Sequence, residues 1–111
     1  MELSSPKYIR SVTVKNKSPF NYFLFIGLIN LQNQQERKYY NICPFSVKKY
    51  EYTYKKGIAE FVEPIELINI STNECCGKQE EKYNLNANNL NSIVNVLIII
   101  DQDGNVDNQF I

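Results

Sequence analysis

The sequence predicts an all-β fold, a single-domain antiparallel β-sandwich of seven to eight short strands with an immunoglobulin-like or related Greek-key order. Three observations predict it. Apolar and polar residues alternate with a period of two along most of the chain. Asn, Ser, Gly and Pro interrupt that alternation at short intervals. No segment carries the apolar stripe of a long amphipathic helix, and evenly spaced short strands are typical of sandwiches and small barrels.

Two segments are apolar on both faces and are predicted to be inner strands. The first, residues 22–30, contains three aromatic residues and Gly27, which indicates a bulge or a close backbone approach. The second, residues 92–101, is rich in β-branched side chains, which favour a strand over a helix. A strand that is apolar on both faces needs cover on both, so these two segments predict facing layers and a further apolar surface outside them.

The remaining elements are shorter and follow the same alternation. In chain order, the further strands are predicted over residues 8–15, 37–42, 47–54, 65–71 and 106–110, and 59–62 and 81–85 are candidates for a brief strand and an edge strand. Residues 86–91 are predicted to hold one short helical turn, and Gly104 lies in a predicted hairpin turn.

Length and charge limit the organisation of the chain. Its 111 residues predict one domain over 1–111, with residues 1–7 as a flexible N-terminal segment. Lysine and arginine together equal aspartate and glutamate, so the formal net charge is zero. This balance argues against nucleic acid or an anionic membrane as the partner, because both usually need a basic face.

Cysteine usage predicts a cytoplasmic protein. The sequence has no basic, apolar signal segment at its start and no transmembrane stretch. The three cysteines are Cys43 and the adjacent pair Cys75 and Cys76, an odd number without the spacing of a disulfide framework. We therefore expect a reducing intracellular compartment.

The absence of histidine argues against catalysis. Without it, the usual general base of Ser-His-Asp and Cys-His enzymes is missing, as are histidine-containing zinc sites. Cys75 and Cys76 lack the two-residue spacing of a metal hairpin, although Lys78 nearby leaves a reactive thiol as an alternative. We expect no enzymatic activity and no cofactor.

A run of oxygen-bearing side chains near the end of the chain has two interpretations. Asp101, Asp103, Asn105 and Asp107 alternate as the ligands of a calcium loop do. However, Gly104 is at the fourth position rather than the sixth, and the distal glutamate is missing. A tight turn that uses Gly104 explains the same residues and is the favoured interpretation.

A second pattern concerns tyrosines that alternate along one predicted strand. Tyr50, Tyr52 and Tyr54 share one face, and lysines flank them on both sides. An alternating tyrosine row usually packs against cross-strand neighbours, which is the favoured interpretation. The alternative is a stacking platform for sugars or bases.

Together these patterns predict a non-catalytic protein-interaction module, an adaptor or small accessory subunit of a larger assembly. Its partner would be another protein or a second copy, without membrane insertion and with nucleic acid disfavoured. The alternative is a ligand-binding β-sandwich for polysaccharide, lipid or single-stranded nucleic acid that uses the tyrosine face. The candidate interaction residues are Phe23, Phe25, Ile29, Tyr50, Tyr52 and Tyr54.

Overall fold

The structure is a computed structural model that describes residues 7–29, 35–72 and 80–111. It contains ten strands and one short 3₁₀ turn, Ala87–Asn89. The strands are β1 (Ile9–Asn16), β2 (Tyr22–Ile29), β3 (Gln35–Ile42), β4 (Ser46–Glu51), β5 (Thr53–Lys56), β6 (Ala59–Val62), β7 (Ile65–Thr72), β8 (Glu81–Asn86), β9 (Val94–Ile100) and β10 (Val106–Phe110).

Eight of the strands form a β-sandwich. The first layer has the order β10-β9-β1-β4, and the second has the order β8-β7-β2-β3. A single residue pair, Ile9 with Ile65, joins β1 to β7 at one corner. The remaining strands, β5 and β6, pair only with each other and form a separate hairpin. The sequence predicts seven to eight strands in all, and the structure describes ten, of which eight form the two layers.

The core lies between the layers because alternate residues of their strands face inward. On β2, the even-numbered residues from Tyr22 to Leu28 are buried. On β9 the same is true of Val96, Ile98 and Ile100. These side chains belong to one continuous core with those of β1 and β7. Burial of so much β-branched and aliphatic surface supplies the main free energy of folding.

A bulge on β1 changes which of its residues face the core. On β1 the register with β9 shifts between Ile9 and Ser11, so the inward residues are Ile9 and then Val12 and Val14. Arg10, which strict alternation from Tyr8 to Val14 places on the apolar side, is exposed as a result. A bulge that switches a strand from one layer to the other is a common way to turn a corner in a sandwich.

The predicted inner strands are confirmed. β2 lies between β7 and β3, and β9 lies between β1 and β10. The predicted antiparallel pairing holds for the other strand pairs described, whereas β9 runs parallel to β1 from Ile9 to Asn16. The sandwich is therefore mostly, and not wholly, antiparallel.

The predicted strand over 47–54 is two strands. The pairing of β4 with β1 ends where Glu51 lies opposite Ser11. On the N-terminal side of Ser11, strand β1 pairs with β7 instead, through Ile9 and Ile65. From Thr53 the chain pairs with β6 instead. Tyr52 occupies the junction, and its carbonyl accepts a hydrogen bond from the Glu63 amide at 2.8 Å.

Several predicted features fall outside the described residues. They are the loop with Cys75 and Cys76 and, apart from Lys7, the flexible segment 1–7. The predicted helical turn within 86–91 is confirmed by the 3₁₀ turn. Among the residues described, no helix has the length and apolar character needed to cross a bilayer.

Candidate functional site

The outer face of the second layer carries a group of aromatic side chains. In the register of this layer Phe25 lies between Tyr39 on β3 and Asn69 on β7, and Phe23 lies one row away. The residues between them along β2 face the core, so both phenylalanines point outward. We call Phe23, Phe25 and Tyr39 the aromatic surface.

The side chains of the aromatic surface line an open hollow of about 420 Å³, together with Leu67. The rings of Phe25 and Tyr39 are 5.2 Å apart between centroids and tilted by 58°, a favourable aromatic arrangement. Tyr39 is 69% exposed, whereas the two phenylalanines are half-buried. The surface therefore presents apolar area to solvent while its rings hold one another in place.

Gly27 lies on β2 beside Phe25 and Leu67. A Cβ at this position would lie 3.4 Å from the Leu67 Cβ and 3.7 Å from Cε1 of Phe25, which are ordinary van der Waals distances. The β2–β7 register shifts after Gly27, so the bulge indicated by the sequence is present.

Polar groups border the aromatic surface. The Arg37 guanidinium carbon is 6.0 Å from the centroid of the Phe25 ring, a cation–π contact, and Nη2 donates to Gln35 Oε1 at 3.4 Å. On the other side, Asn69 Nδ2 donates to Glu81 Oε1 at 2.9 Å. An apolar centre with a polar border is the usual composition of a protein interface.

The structure places the first group of candidate residues as follows. Phe23 and Phe25 lie together on the outer surface, and the side chain of Ile29 is outside the described part of the structure. Tyr39 is an addition to the predicted set. Its signal is present in the sequence, because alternation along β3 from Arg37 places Tyr39 on the outer face opposite Phe25.

The three alternating tyrosines do not form one exposed face. Tyr50 is 6% exposed and belongs to the core, with its ring centroid 4.6 Å from that of Tyr40. The Tyr52 hydroxyl is 2.5 Å from the Tyr40 hydroxyl. Tyr54 stacks on Phe61 within the β5–β6 hairpin, at 5.4 Å between centroids. Each of the three tyrosines packs against another aromatic side chain, as the favoured interpretation of the sequence expects.

Burial also changes the acidity of two of these phenols. Burial raises the pKa of Tyr50, and nearby Tyr40 adds to the effect. Burial, followed by the hydrogen bond and charge interaction with Tyr40, raises the pKa of Tyr52 strongly. Both tyrosines therefore stay neutral well into the alkaline range.

The acidic run near the end of the chain forms a hydrogen-bonded turn. Asp101 Oδ1 accepts from the backbone amides of Asp103 and Asn105, each at 2.9 Å. The Asn105 side chain donates to Asp101 Oδ2 at 3.3 Å. The hydrogen bond from the Asn105 amide, followed by that from Asp103, holds the pKa of Asp101 below its usual value. These bonds give the Asp101 carboxylate a structural role in the turn.

The remaining chemistry-bearing residues are sparse. Cys43 is a free, exposed thiol, and the Cys75 and Cys76 pair lies outside the described residues. Within residues 7–29, 35–72 and 80–111, no three His, Cys, Asp or Glu side chains are grouped closely enough to hold a metal ion.

No family model matches the chain, and no curated protein matches it in sequence. Among solved structures, the chain is similar to the human-specific toxin intermedilysin, with a TM-score of 0.45 and 9% identity over 92% of this chain. It covers only 23% of that toxin. A protein from Eubacterium rectale, solved by NMR, has a TM-score of 0.39 and 10% identity over 91% of this chain and 86% of its own. These similarities concern a β-rich fold alone.

Proposed function

We propose that this domain is a non-catalytic protein-interaction module that binds a different protein through the aromatic surface. In this role it serves as an adaptor or small accessory subunit of a larger assembly. The open apolar hollow between Phe23, Phe25 and Tyr39 is the observation that supports the proposal. It lies on the outer face of β3, β2 and β7, where Tyr39 is 69% exposed.

The chemistry of the surface favours a protein partner. Aromatic residues and arginine are enriched where binding free energy is concentrated, and they act best when the partner excludes water from them. Tyr39 offers a large ring with a hydroxyl at its tip, and Leu67 provides an aliphatic floor. An apolar side chain from the partner would enter the hollow, with hydrogen bonds to the surrounding amide groups.

Arg37 indicates the charge of the partner. Its guanidinium group makes no ion pair with any described residue, while it stays above the Phe25 ring. A carboxylate on the partner that meets Arg37 would gain a charge-assisted, bidentate hydrogen bond. We therefore propose a partner segment that combines an apolar anchor with an acidic residue.

The proposal also places the domain in the cytoplasm. Cys43 supports this location, because a free and exposed thiol persists best in a reducing compartment. The alternative, a ligand site on the tyrosine face, has less support, since Tyr50 is buried and Tyr52 is bonded to Tyr40.

The test places a photo-crosslinking amino acid at position 39 and captures the partner from the native source. Val47 provides the matched control, because it is 63% exposed on a strand of the other layer. Affinity is then measured with the purified partner. We expect Phe25→Ser and Tyr39→Ser each to weaken binding at least about 10-fold, equivalent to about 1.4 kcal/mol, and Val47→Ser to leave it unchanged.

Three results would contradict the proposal. One is equal crosslinking from positions 39 and 47. Another is full affinity in Tyr39→Ser, whose exposed side chain contributes little to the fold. The third is self-association of the purified chain that Tyr39→Ser abolishes, measured by light scattering. That result would identify a second copy as the occupant of the surface.

A further inference from the structure

A second hollow, of about 360 Å³, lies at one end of the sandwich. Three separate parts of the chain form it: the turn between β1 and β2, the turn between β9 and β10, and the described residues where β7 ends and β8 begins, Thr72, Glu80 and Lys82. We call it the end hollow. Its lining includes Phe20, Asn21, Tyr22, Thr72, Asp103 and Gly104. Volumes of about 300–1,000 Å³ are usual for small-molecule sites.

The wall that carries Phe20 is fixed by buried polar side chains. Asn16 Nδ2 donates to the Phe20 carbonyl at 2.9 Å, and the Phe20 amide donates to Ser18 Oγ at 3.2 Å. Ser18 Oγ in turn donates to Asn16 Oδ1 at 2.6 Å. Asn16 and Ser18 are 1% and 0% exposed. The Phe20 ring is nevertheless 53% exposed, so a rigid loop holds an apolar ring toward solvent.

The other two walls are also held by hydrogen bonds. The Thr72 amide donates to the Glu80 carbonyl, and the Glu80 amide donates to Thr72 Oγ1, both at 2.9 Å. The Gly104 amide donates to the Asp101 carbonyl at 3.1 Å. Walls that are ordered before a ligand arrives lower the entropic cost of binding.

Gly104 lies against the hydroxyl of Tyr22 in the lining of the end hollow. The backbone of Gly104 has a φ of +85°, and a Cβ there would lie 2.9 Å from the Tyr22 hydroxyl oxygen. Tyr22 is only 2% exposed, and its ring packs in the core. Glycine at position 104 therefore lets the backbone of this turn approach the hydroxyl at the end of the buried ring, and both residues line the hollow.

The lining combines the apolar ring of Phe20 with hydrogen-bond donors and acceptors. Asn21, Thr72 and the Tyr22 hydroxyl both donate and accept, and Asp103 accepts. The ammonium of Lys82, which also lines the hollow, is 3.6 Å from a Glu80 carboxylate oxygen. Among the described lining residues Glu80 and Asp103 are acidic and Lys82 is basic, so their net charge is negative, which disfavours phosphate and carboxylate ligands.

From this composition we propose that the end hollow is a binding site for a neutral saccharide. A pyranose ring has one face of C–H groups, which would pack on Phe20, and hydroxyls around its edge that donate and accept. The hydroxyls would meet Asn21, Tyr22 and Asp103. The site is independent of the aromatic surface, which lies on the outer face of one layer.

The test is a titration of isotope-labelled protein followed by amide chemical shifts. The probes are glucose, galactose, mannose, N-acetylglucosamine and maltose, with inorganic phosphate and acetate as anionic comparisons. We expect saturable shifts at Asn21, Thr72 and Gly104 with at least one saccharide, and none with either anion.

Two phenylalanines provide a matched pair of variants. Phe20 and Phe45 each follow a proline in a turn tied to the Asn16 network, but only Phe20 lines the end hollow. Phe45 is 73% exposed. We expect Phe20→Ala to weaken saccharide binding at least about 10-fold and Phe45→Ala to leave it unchanged. Tyr22→Phe, which removes one hydroxyl and keeps the ring, should weaken it by a smaller factor.

The proposal is overturned if no saccharide produces a saturable shift, or if phosphate or acetate produces the same shifts. Equal affinity in the Phe20→Ala and Phe45→Ala variants also overturns it. The spectrum of each variant reports whether it is folded. If Phe20→Ala unfolds, Tyr22→Phe and Asn21→Ala decide, and full affinity in both counts against the site.

Discussion

Asn16 is the last residue of β1, and its buried side chain connects two turns. It donates to the carbonyls of Phe20 and Cys43 at 2.9 and 3.1 Å, and it accepts from the amide and hydroxyl of Ser18 at 3.0 and 2.6 Å. A buried amide group that is fully bonded in this way stabilises one arrangement of the chain. Its sequence context, Asn-Lys-Ser-Pro, predicts only a turn.

We expect Asn16→Ala to lower the free energy of unfolding by about 2–3 kcal/mol, because the substitution leaves buried hydrogen-bonding groups without partners. Asn89→Ala is the control, since Asn89 is exposed at the end of the 3₁₀ turn. Urea unfolding measures both. A loss in Asn16→Ala no larger than that in Asn89→Ala would show that the network contributes little.

Burial of Tyr52, together with its hydrogen bond to Tyr40, makes stability depend on alkaline pH. Folding raises the pKa of Tyr52, so the folded state holds the phenol proton more tightly than the unfolded state. The contribution to stability is therefore fully present below the unfolded pKa of about 10 and is lost as the pH rises toward the folded value. Tyr40→Phe removes the bonding hydroxyl, so the Tyr52 phenolate should form at lower pH.

Ultraviolet absorbance during an alkaline titration measures this shift. Tyr39→Phe is the matched control, because Tyr39 is exposed and has no hydroxyl contact with Tyr52 among the described residues. It should leave the late titration step of Tyr52 in place. An unchanged late step in Tyr40→Phe would argue against the role of the hydrogen bond.

Two glycines with positive φ provide a steric comparison. Gly57 has a φ of +65° and no atom within 4 Å of an added Cβ, whereas at Gly104 the Cβ would lie 2.9 Å from the Tyr22 hydroxyl. Alanine at either position adopts a disfavoured backbone conformation at a cost of about 1–2 kcal/mol. Gly104→Ala should lower the free energy of unfolding by about 1–3 kcal/mol more than Gly57→Ala does, because neighbouring atoms must also shift. Equal losses in urea unfolding would contradict the close approach to Tyr22.

At the scale of elements, the β5–β6 hairpin differs from the rest of the molecule. Its two strands pair only with each other, and Ile58 at the turn is fully exposed. An isolated two-stranded hairpin is only marginally stable. At its base, the Glu63 amide donates a hydrogen bond to the Tyr52 carbonyl. The hairpin should therefore open without the sandwich.

We expect amides of residues 53–62 to exchange hydrogen much faster than those of β2 and β9, because local opening exposes only the hairpin. Phe61→Ala removes the ring stacked on Tyr54 and should change global stability by less than about 1 kcal/mol. Ile98→Ala, in the core, should cost about 2–5 kcal/mol. Similar global losses in both variants would mean that the hairpin unfolds together with the layers.

The elements also show where period-two patterns stop being informative. Alternation located β2 and β9 well, because their apolar residues record which face is buried. It gave 47–54 as one strand, because side-chain alternation does not record the change of neighbour from β1 to β6. It also placed Arg10 on the wrong face, since the bulge after Ile9 has no marker in the sequence.

At the scale of the whole molecule, the sequence predicts pairing between strands that a short turn connects, but not pairing between strands that are distant in the chain. β9 and β10 are joined by a recognisable turn, whereas β1 with β4, β2 with β7 and β1 with β9 have no local signal. The same holds for the two sites. Phe23 and Phe25 were predicted because they share one strand. The end hollow was not predicted, because its walls come from three parts of the chain that are far apart in sequence.

The parallel pairing of β1 with β9 has a consequence for the order of events in folding. Ser11 and Asn95, which meet through a 2.6 Å hydrogen bond, are 84 residues apart in sequence. Until β9 has been synthesised, β1 has β4 as its only long-range partner along most of its length, and its other edge stays open. Chains in which such remote pairings dominate fold in milliseconds to seconds rather than microseconds, since a large loop must close first. The newly made polypeptide would therefore expose the open edge of β1 until residues 94–100 have been synthesised.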